Sequence, residues 1–315
     1  MNFELYPLRF EFTARDSIYF APGKPGNILR GAFGTIFKRI ACVPECREAR
    51  GCGLRESCAY ARIFEPASLA AGPSGFSDWP RPFAFRARHL DGVTIPAGGK
   101  FSFDVHVFEM RDPALPYFVL AFNEIAKEGM GPRRGRAALD GVWLLDVDAK
   151  PNLEVYSGES FLLSQLPEPL CLPLDPTRQP VRQIRVNFLS PTEFKYGQKV
   201  VYTTDFPVLF GRVRDRLSTL RALYGAGPLN IDFKTLGERA AEVRTAECRI
   251  VRQQIDRRSS RTGQSHGIGG FLGHAVYEGD LAEFLPYLRA AVWTGIGRHT
   301  VWGNGEIEVA SSSLS

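Results

Sequence analysis

The order of elements in residues 280–309 restricts most strongly what this chain can fold into. An amphipathic pattern over 280–292 predicts a helix, a glycine-rich loop runs from Gly295 to Gly305, and alternation over 304–309 predicts a strand. A dinucleotide-binding fingerprint has the reverse order, because its phosphates meet a helix that follows the loop, and it needs a third glycine where this chain has Thr300. The pattern therefore disfavours a nucleotide cofactor and favours a loop that binds an anion through backbone amides.

An earlier segment, residues 117–139, repeats this plan. A predicted apolar helix ends in Gly129-Met-Gly131, the basic residues Arg133 and Arg134 follow, and an alternating strand begins. Two copies of one plan, about 165 residues apart, indicate two similar domains. The length of 315 residues and the hydrophobic content of 44% suffice for two cores of that size.

The predicted domain boundary lies in residues 149–180, where prolines interrupt any regular pattern. This boundary gives an N-terminal domain over 1–150 with a cysteine-rich insertion at 42–64, and a C-terminal domain over 178–315 with the glycine-rich loop at 295–305. The predicted strands are 4–14, 83–90, 100–110, 137–147, 181–189, 243–257, 268–278 and 304–309, and the predicted helices are 26–40, 114–128, 205–224, 232–242 and 280–292. Both halves follow the order β-α-β-β-α-β. The sequence therefore predicts an α+β fold of two tandem ferredoxin-like domains.

Charge is distributed unevenly along the chain. The net charge is only +5, but residues 182–262 contain sixteen Lys or Arg against eight Asp or Glu. Such a local excess favours a polyanionic partner, of which nucleic acid is the commonest. The solvated face of the helix predicted over 205–224 would explain part of the excess. It does not explain Arg257, Arg258 and Arg261, which cluster in a hairpin-like segment after a predicted strand.

The chain shows no sign of membrane association. No apolar run approaches the ~20 residues that a membrane span needs. Residues 1–12 also lack the basic segment followed by an apolar one that is typical of a secretory signal. We therefore expect a cytoplasmic protein without a membrane partner.

Four of the six cysteines lie close together in the sequence, at Cys42, Cys46, Cys52 and Cys58. A cytoplasmic location disfavours disulfides between them. Four closely spaced thiolates suit tetrahedral zinc, although no interval is the two-residue spacing typical of zinc motifs. A structural zinc site is favoured, and an iron–sulfur cluster or unliganded thiols remain open.

The first predicted helix has an apolar stripe and a second, polar side. The stripe comprises Ile28, Leu29, Phe33, Ile36, Phe37 and Ile40. Arg30, Gly31, Gly34 and Lys38 are predicted on the opposite side. Because a glycine inside a helix costs about 1 kcal/mol, the two glycines indicate close packing or close approach of a ligand.

Several glycine- and arginine-rich segments form a recognisable set. They are Gly295-Ile-Gly297-Arg298-His299-Thr300, Gly303-Asn-Gly305, Gly269-Gly270-Phe-Leu-Gly273, Arg258-Ser-Ser-Arg261, Phe188-Leu-Ser-Pro191-Thr192, Ile28-Leu-Arg30-Gly31-Ala-Phe-Gly34 and Gly129-Met-Gly131. With these segments the chain resembles the CRISPR-associated endoribonucleases of the RAMP superfamily that cut precursor CRISPR RNA within its repeats. The resemblance implies two ferredoxin-like domains, repeat or guide RNA bound across them, cleavage without a catalytic metal, and other CRISPR-associated effector subunits as further partners. The residues expected to bind RNA are Lys24, Arg133, Arg134, Arg258, Arg261, His266, Gly295, Gly297, Arg298, Gly303 and Gly305.

The resemblance also implies a reaction. A base removes the proton from a ribose 2′-hydroxyl, which attacks the adjacent phosphorus, and cations and an acid assist departure of the 5′-oxygen, leaving 2′,3′-cyclic phosphate and 5′-hydroxyl ends. The family's usual base is a histidine on or just after the first helix, and this chain has none there. Relatives without it use lysine clusters in this region, so Lys38, with Arg30 and Lys24, is a candidate for stabilising charge in the transition state, and the identity of the base is left open. A lysine is normally protonated at neutral pH, so orientation and charge stabilisation would supply most of the rate.

Among the histidines, His299 in the last glycine loop is the best placed to meet a phosphate, and it is a second candidate for acid–base chemistry. His266 is a weaker candidate. The missing histidine on the first helix leaves an alternative open, a non-catalytic RAMP subunit that holds guide RNA in an effector complex. A third interpretation, an unrelated zinc-stabilised nucleic-acid-binding protein, would require the glycine-loop similarity to be accidental.

Overall fold

The computed structural model divides the chain into two compact units. It describes residues 1–43, 46, 49–66, 79–111, 115–158, 160–162, 165–196, 199–254, 256–258, 265–267 and 269–312. One unit is Glu4–Leu170, and the other is Cys171–Ser315 together with Met1–Phe3. The division at Leu170 falls inside the proline-interrupted segment 149–180. The N-terminal unit thus continues for about twenty residues past the end predicted for it.

The N-terminal unit contains a ferredoxin-like sheet. Its elements are β1 (Asn2–Ala14), β2 (Ile18–Tyr19), α1 (Pro25–Ala41), α2 (Ala59–Ile63), β3 (Phe83–Arg86), β4 (Thr94–Ile95), β5 (Lys100–Val107), α3 (Leu115–Glu128), β6 (Ala137–Leu145), β7 (Pro151–Ser157) and β8 (Ser160–Phe161). The strands lie in the order β3-β5-β1-β6-β7-β8. The first four of these are antiparallel neighbours, with Phe10 opposite both Phe103 and Val142. Together with α1 and α3 they complete the predicted β-α-β-β-α-β unit.

Aromatic side chains fill the space between this sheet and its two main helices. Phe33 of α1 stacks on Phe118 of α3 at a centroid distance of 4.7 Å. Phe122 of α3 lies 4.9 Å from Phe10 and 5.0 Å from Phe103. All five rings are fully buried. Burying each ring stabilises the fold by roughly 1.5–3 kcal/mol, so this cluster fixes α1 on the sheet.

The C-terminal unit repeats the same topology. Its elements are β9 (Leu170–Pro173), β10 (Gln183–Thr192), β11 (Phe194–Tyr196), β12 (Lys199–Val201), α4 (Phe206–Tyr224), α5 (Phe233–Ala241), β13 (Arg244–Gln253), β14 (Asp256–Arg258), β15 (Ser265–Gly267), β16 (Gly270–Glu278), α6 (Leu285–Thr294) and β17 (Ile307–Ser312). The sheet order is β13-β16-β10-β17, and β11-β12 and β14-β15 are separate hairpins. Val186 in β10 pairs with Ala275 and with Val309. Both units are therefore ferredoxin-like, as the sequence predicts.

One face of the second sheet is buried under α4 and α6. Phe206 of α4 lies 5.0 Å from Tyr277 of β16, and Phe210 lies 4.7 Å from Phe284, which precedes α6. The additional helix α5 begins at Asp232, whose carboxylate accepts hydrogen bonds from the backbone amides of residues 234 and 235. The opposite sheet face carries polar side chains.

The largest differences from the predicted bounds concern three elements. The strand predicted over 83–90 ends at Arg86, and a 3₁₀ turn follows. The strand predicted over 243–257 is divided into β13 and β14. Helix α6 begins later than predicted, where Pro286 occupies a first-turn position, and it ends at Gly295 with a φ of 69°. No helix in the described ranges is both long and apolar enough to cross a membrane.

Candidate functional site

Helix α1 presents a line of polar and small residues on its exposed side. Lys24 is the N-cap, and Pro25 occupies the first turn, where a missing backbone N–H costs nothing. Lys24, Gly31 and Thr35 are exposed and are spaced by seven and four residues, which places them on one face. Lys38 continues this line and is half-buried. This exposed face is the part of α1 that a large ligand can reach.

The interior glycines of α1 have different surroundings. A Cβ atom at Gly34 would lie 2.1 Å from the ring of Phe64, whereas a Cβ at Gly31 would have nothing within 4 Å. Gly34 is buried, so its predicted place on the polar side is wrong. The reason is Phe64, which packs against the helix at this position. Arg30 also faces this ring, with its guanidinium carbon 4.5 Å from the centroid. Gly34 therefore serves internal packing, and Gly31 remains open to a ligand.

The cysteine-rich insertion is joined directly to the end of α1. Cys42 is the C-cap, and its amide donates to the carbonyl of Lys38. Lys38 also lies close enough to Cys46 for its charge to favour the thiolate there, although burial keeps the pKa of Cys46 above its ordinary value. The conformation of the insertion thus affects the end of the helix that carries Lys38.

The four clustered thiols contact one another in a chain. The sulfur atoms of Cys42 and Cys58 are 4.0 Å apart. Cys46 makes thiol contacts with both Cys42 and Cys52. Burial, followed by the neighbouring Cys58, raises the pKa of Cys42 to about 12. As they stand, no three His, Cys, Asp or Glu side chains in the described ranges form a group that could hold a metal ion. The structure thus brings the predicted ligands together in pairs without closing a coordination sphere.

The C-terminal glycine-rich loop is held tightly to its own unit. The amide of Ile296 donates to Gly305, and the amide of Gly305 donates to Pro191. A Cβ atom at Gly305 would lie 1.9 Å from the carbonyl oxygen of Ile296, and one at Gly297 would lie 2.4 Å from that of Glu193. Both positions have positive φ, which favours glycine. These two glycines are therefore explained by close backbone packing within the unit.

Two predicted side chains of this loop also contact the protein itself. Arg298 forms an ion pair with the nearly buried Glu193, and its amide donates to the carbonyl of the same residue. His299 has a φ of 64° and stacks on Trp302 at 4.7 Å. The guanidinium of Arg298 remains about half exposed, at 45%. The loop thus carries a partly exposed cation, and Gly295 and Gly303 within it also have positive φ.

The N-terminal glycine loop occupies the equivalent position, between the second main helix and the last strand of its ferredoxin unit. Gly129 and Gly131 have positive φ, and a Cβ at Gly131 would lie 2.6 Å from the carbonyl oxygen of Tyr19. Arg133 and Arg134 are exposed at the tip. Arg134 lies 3.7 Å from Glu128. The predicted correspondence between the two loops is confirmed, and each projects basic residues.

The predicted arginine hairpin corresponds to β14 and β15. Backbone pairing sets Arg257 opposite His266 and Arg258 opposite Ser265. Arg261 lies outside the described residues, so its predicted contact with RNA stays a prediction. The register nevertheless places two consecutive arginines on one strand of a two-stranded ribbon, with His266 opposite the first of them.

Sequence reasoning missed a polar cluster on the open face of the second sheet. His274 of β16 lies 3.3 Å from Glu247 of β13, which also pairs with Arg249 at 2.7 Å. The hydrogen bond from His274, followed by the charge of Arg249, lowers the pKa of Glu247. Only the cross-strand register places His274 beside Glu247 and Arg249, because His274 is far from both in the sequence.

Two family models together cover most of the chain. The model of the N-terminal domain family AF_1859_N matches residues 3–168, which is more than half of the chain. The model described as CRISPR-associated endoribonuclease Cas6 matches residues 186–307. The boundary between these matches agrees with the boundary between the two units.

The similarity to known proteins extends over both units. A protein of Archaeoglobus fulgidus is 24% identical and covers 99% of this chain and 100% of its own. Thermus thermophilus Cas6 is 16% identical, with a TM-score of 0.53 over 98% of this chain and 99% of that chain. A Cas6 product complex is 15% identical, with a TM-score of 0.57 over 98% and 99%. The chain belongs to the AF_1859_N family, whose model matches its N-terminal half, and its C-terminal half matches the model described as CRISPR-associated endoribonuclease Cas6.

Proposed function

We propose that this protein binds CRISPR repeat RNA and cleaves it without a metal ion, by attack of a ribose 2′-hydroxyl on the adjacent phosphorus. The observation that carries the proposal is the exposed face of α1 in a chain whose C-terminal half matches the Cas6 endoribonuclease model. The helix contains Lys and Arg but no Asp or Glu. Cations stabilise the charge that develops on the phosphate, whereas metal-dependent nucleases use carboxylates to hold their ions.

The residues of α1 take distinct roles in this proposal. Lys38 stabilises the negative charge of the transition state, and Lys24, about 21 Å away at the other end of the exposed face, binds the RNA backbone. Gly31 lies between them and permits close approach of the RNA backbone. Arg30, which lies over Phe64, orients the helix and contributes charge from its partly exposed position. Holding the 2′-hydroxyl in line with the leaving oxygen supplies much of the rate enhancement.

RNA binding involves basic residues of both units. In the N-terminal unit these are Lys24, Arg133 and Arg134. In the C-terminal unit they are Arg258, Arg261, Arg298 and His266, with His299 as a candidate acid. The glycines at 295, 297, 303 and 305 contribute by shaping the loop, since packing explains two of them. Repeat RNA is the substrate, and the mature guide stays on the enzyme or passes to an effector complex.

The test is incubation of the purified protein with repeat RNA from the CRISPR array of its own genome, in EDTA. We expect a cut at one position, and we expect a single 2′-deoxy substitution at that nucleotide to abolish it. The same deoxy substitution one nucleotide away serves as the control and leaves cleavage intact. Loss of cleavage in EDTA with recovery in magnesium would contradict the mechanism.

One observation favours a second candidate function, a non-catalytic subunit that holds guide RNA. Helix α1 lacks a histidine, so no ordinary general base lies on its exposed face. The same incubation separates the two functions. Tight and specific binding of repeat RNA with no cut product would favour the scaffold function.

We further propose that Cys42, Cys46, Cys52 and Cys58 bind a structural zinc ion. Four thiols linked by pairwise contacts supply a suitable donor set, and the segment between them has few apolar side chains to fold around. To coordinate the ion, the four sulfur atoms would have to move from their pairwise contacts into a tetrahedral arrangement around it. The site would fix the insertion against the end of α1.

A further inference from the structure

A tyrosine and an arginine form an exposed stacked pair at the edge of the second sheet. The guanidinium carbon of Arg252 lies 4.3 Å from the centre of the Tyr202 ring. Arg252 is exposed, and 37% of Tyr202 is accessible. The distance is typical of a cation–π contact. The pair therefore presents a flat, positively charged surface to solvent.

Neighbouring contacts hold the backbone that carries both members of the pair. Arg252 belongs to β13, where it pairs with Phe271 of β16. Two residues after Tyr202, the buried Thr204 donates to the thiol of Cys248 at 3.1 Å and accepts from the hydroxyl of Tyr277 at 2.7 Å. The backbone beneath the pair is thus ordered before any ligand binds, so the conformational entropy lost on binding is mainly that of the two side chains.

The charge of Arg252 is not neutralised within the described part of the chain, where its recorded contact is the Tyr202 ring. Other arginines of this unit lie beside carboxylates. The ion pairs are Arg244 with Glu278, Arg249 with Glu247, Arg214 with Asp215 and Arg239 with Glu283. A planar cation without a carboxylate neighbour attracts a ligand that is both flat and anionic.

The surroundings also suit a nucleobase. Val200 of the β11-β12 hairpin, two residues before Tyr202, is 40% exposed. This apolar side chain can pack against a base or a ribose. The arginine hairpin begins only a few residues after Arg252, so the same RNA strand can contact both. Recognition of single-stranded RNA relies on bases stacked on aromatic rings and on arginine planes.

The geometry points to a nucleobase-stacking platform, in which Tyr202 supports Arg252 and an unpaired base of the RNA stacks on the exposed face of the guanidinium. This inference rests on the proposed function, because RNA is the ligand. It adds a subsite that reads an unpaired base, outside the exposed face of α1. The RNA phosphate next to the stacked base contacts the positively charged guanidinium of Arg252.

Two substitutions separate stacking from charge. Arg252→Lys keeps the charge and loses the planar surface, and Tyr202→Leu removes the supporting ring. We expect each to weaken binding of repeat RNA about tenfold, in line with the loss of one stacked base. Arg252→Lys should leave the slope of affinity against salt unchanged, since the phosphate contact keeps its cation.

The matched control is Phe233→Leu. Arg214 lies 4.8 Å over the Phe233 ring, but it is only 15% exposed and is paired with Asp215. This second arginine–aromatic pair therefore offers no open cationic plane. We expect the control to bind RNA as tightly as the wild-type protein.

The experiment places 2-aminopurine at each unpaired position of the repeat RNA in turn and measures its fluorescence in complex with each variant. We expect one position to be quenched in the wild type and in Phe233→Leu, and to recover in Arg252→Lys and Tyr202→Leu. If Arg252→Lys and Tyr202→Leu bind RNA with the affinity of the wild type and still quench the fluorescence at that position, the platform is overturned. Quenching without any cleavage would support the platform while contradicting the proposed cleavage, and absence of RNA binding by the wild type would overturn both.

Discussion

The two glycines of α1 offer a comparison in which the same substitution should have opposite effects. Gly31→Ala adds a methyl group where nothing lies within 4 Å. It should stabilise the protein by up to about 1 kcal/mol, because alanine favours the helix. Gly34→Ala gains the same helical preference but places its Cβ 2.1 Å from the Phe64 ring.

Phe64 cannot move aside easily. Its ring is 7% exposed, and it lies 5.3 Å from Tyr60 and 4.5 Å from the guanidinium carbon of Arg30. Overpacking of this kind costs about 1–3 kcal/mol, and loss of the Arg30 contact adds about 0.5–1 kcal/mol. After the helical gain, Gly34→Ala should destabilise the protein by about 1–2 kcal/mol.

Thermal unfolding of the two variants measures this difference. The combined effect of about 2–3 kcal/mol corresponds to melting temperatures about 5–10 °C apart, with Gly31→Ala the higher. Adding Phe64→Leu to Gly34→Ala should recover part of the loss, because the ring that causes the overlap is gone. Equal melting temperatures for the two alanine variants would refute the explanation given for Gly34.

Three further expectations follow from individual sites. Replacing Arg258 and Arg261 with alanine should weaken RNA binding and reduce the slope of log affinity against log salt by about one unit per lost phosphate contact; an unchanged slope would exclude these arginines from the RNA path. Cys52→Ser should lower both zinc content and melting temperature, while leaving the pH dependence of residual cleavage unchanged; metal-free wild-type protein with four titratable thiols would rule out the site. The hydrogen bonds from Thr235 lower the pKa of Asp232, so its contribution to stability is present at neutral pH and is lost as the pH falls through that lowered pKa. Denaturant unfolding should show that Asp232→Asn, which keeps a capping oxygen, removes this part of the acid sensitivity, and identical pH profiles would contradict it.

Periodic patterns allowed the sequence to predict most of the fold. The helix predicted over 205–224 is observed as Phe206–Tyr224, because its apolar residues recur at helical spacing. The repeated glycine loops predicted two similar units, and both loops precede the last strand of a ferredoxin-like sheet. Local signals therefore sufficed for element type and for the domain architecture.

The contacts within the candidate site could not be predicted in the same way. Gly34 was placed on the wrong side of α1 because Phe64, its partner, lies thirty residues later in a segment without regular periodicity. Arg298 pairs with Glu193, which is 105 residues away in the sequence. Contacts of this kind depend on strand register and on loop packing, which one sequence without its fold does not specify.

The most direct test of the central claim is mass spectrometry of the ends of repeat RNA cut by the purified protein in EDTA. Attack by the 2′-hydroxyl breaks the bond to the 5′-oxygen, so the account requires 2′,3′-cyclic phosphate on one product and a 5′-hydroxyl on the other. The same ends should appear, at a much lower rate, with a Lys38→Met variant. Products with 3′-hydroxyl and 5′-phosphate ends would contradict the account, because water activated by a metal ion would then be the nucleophile.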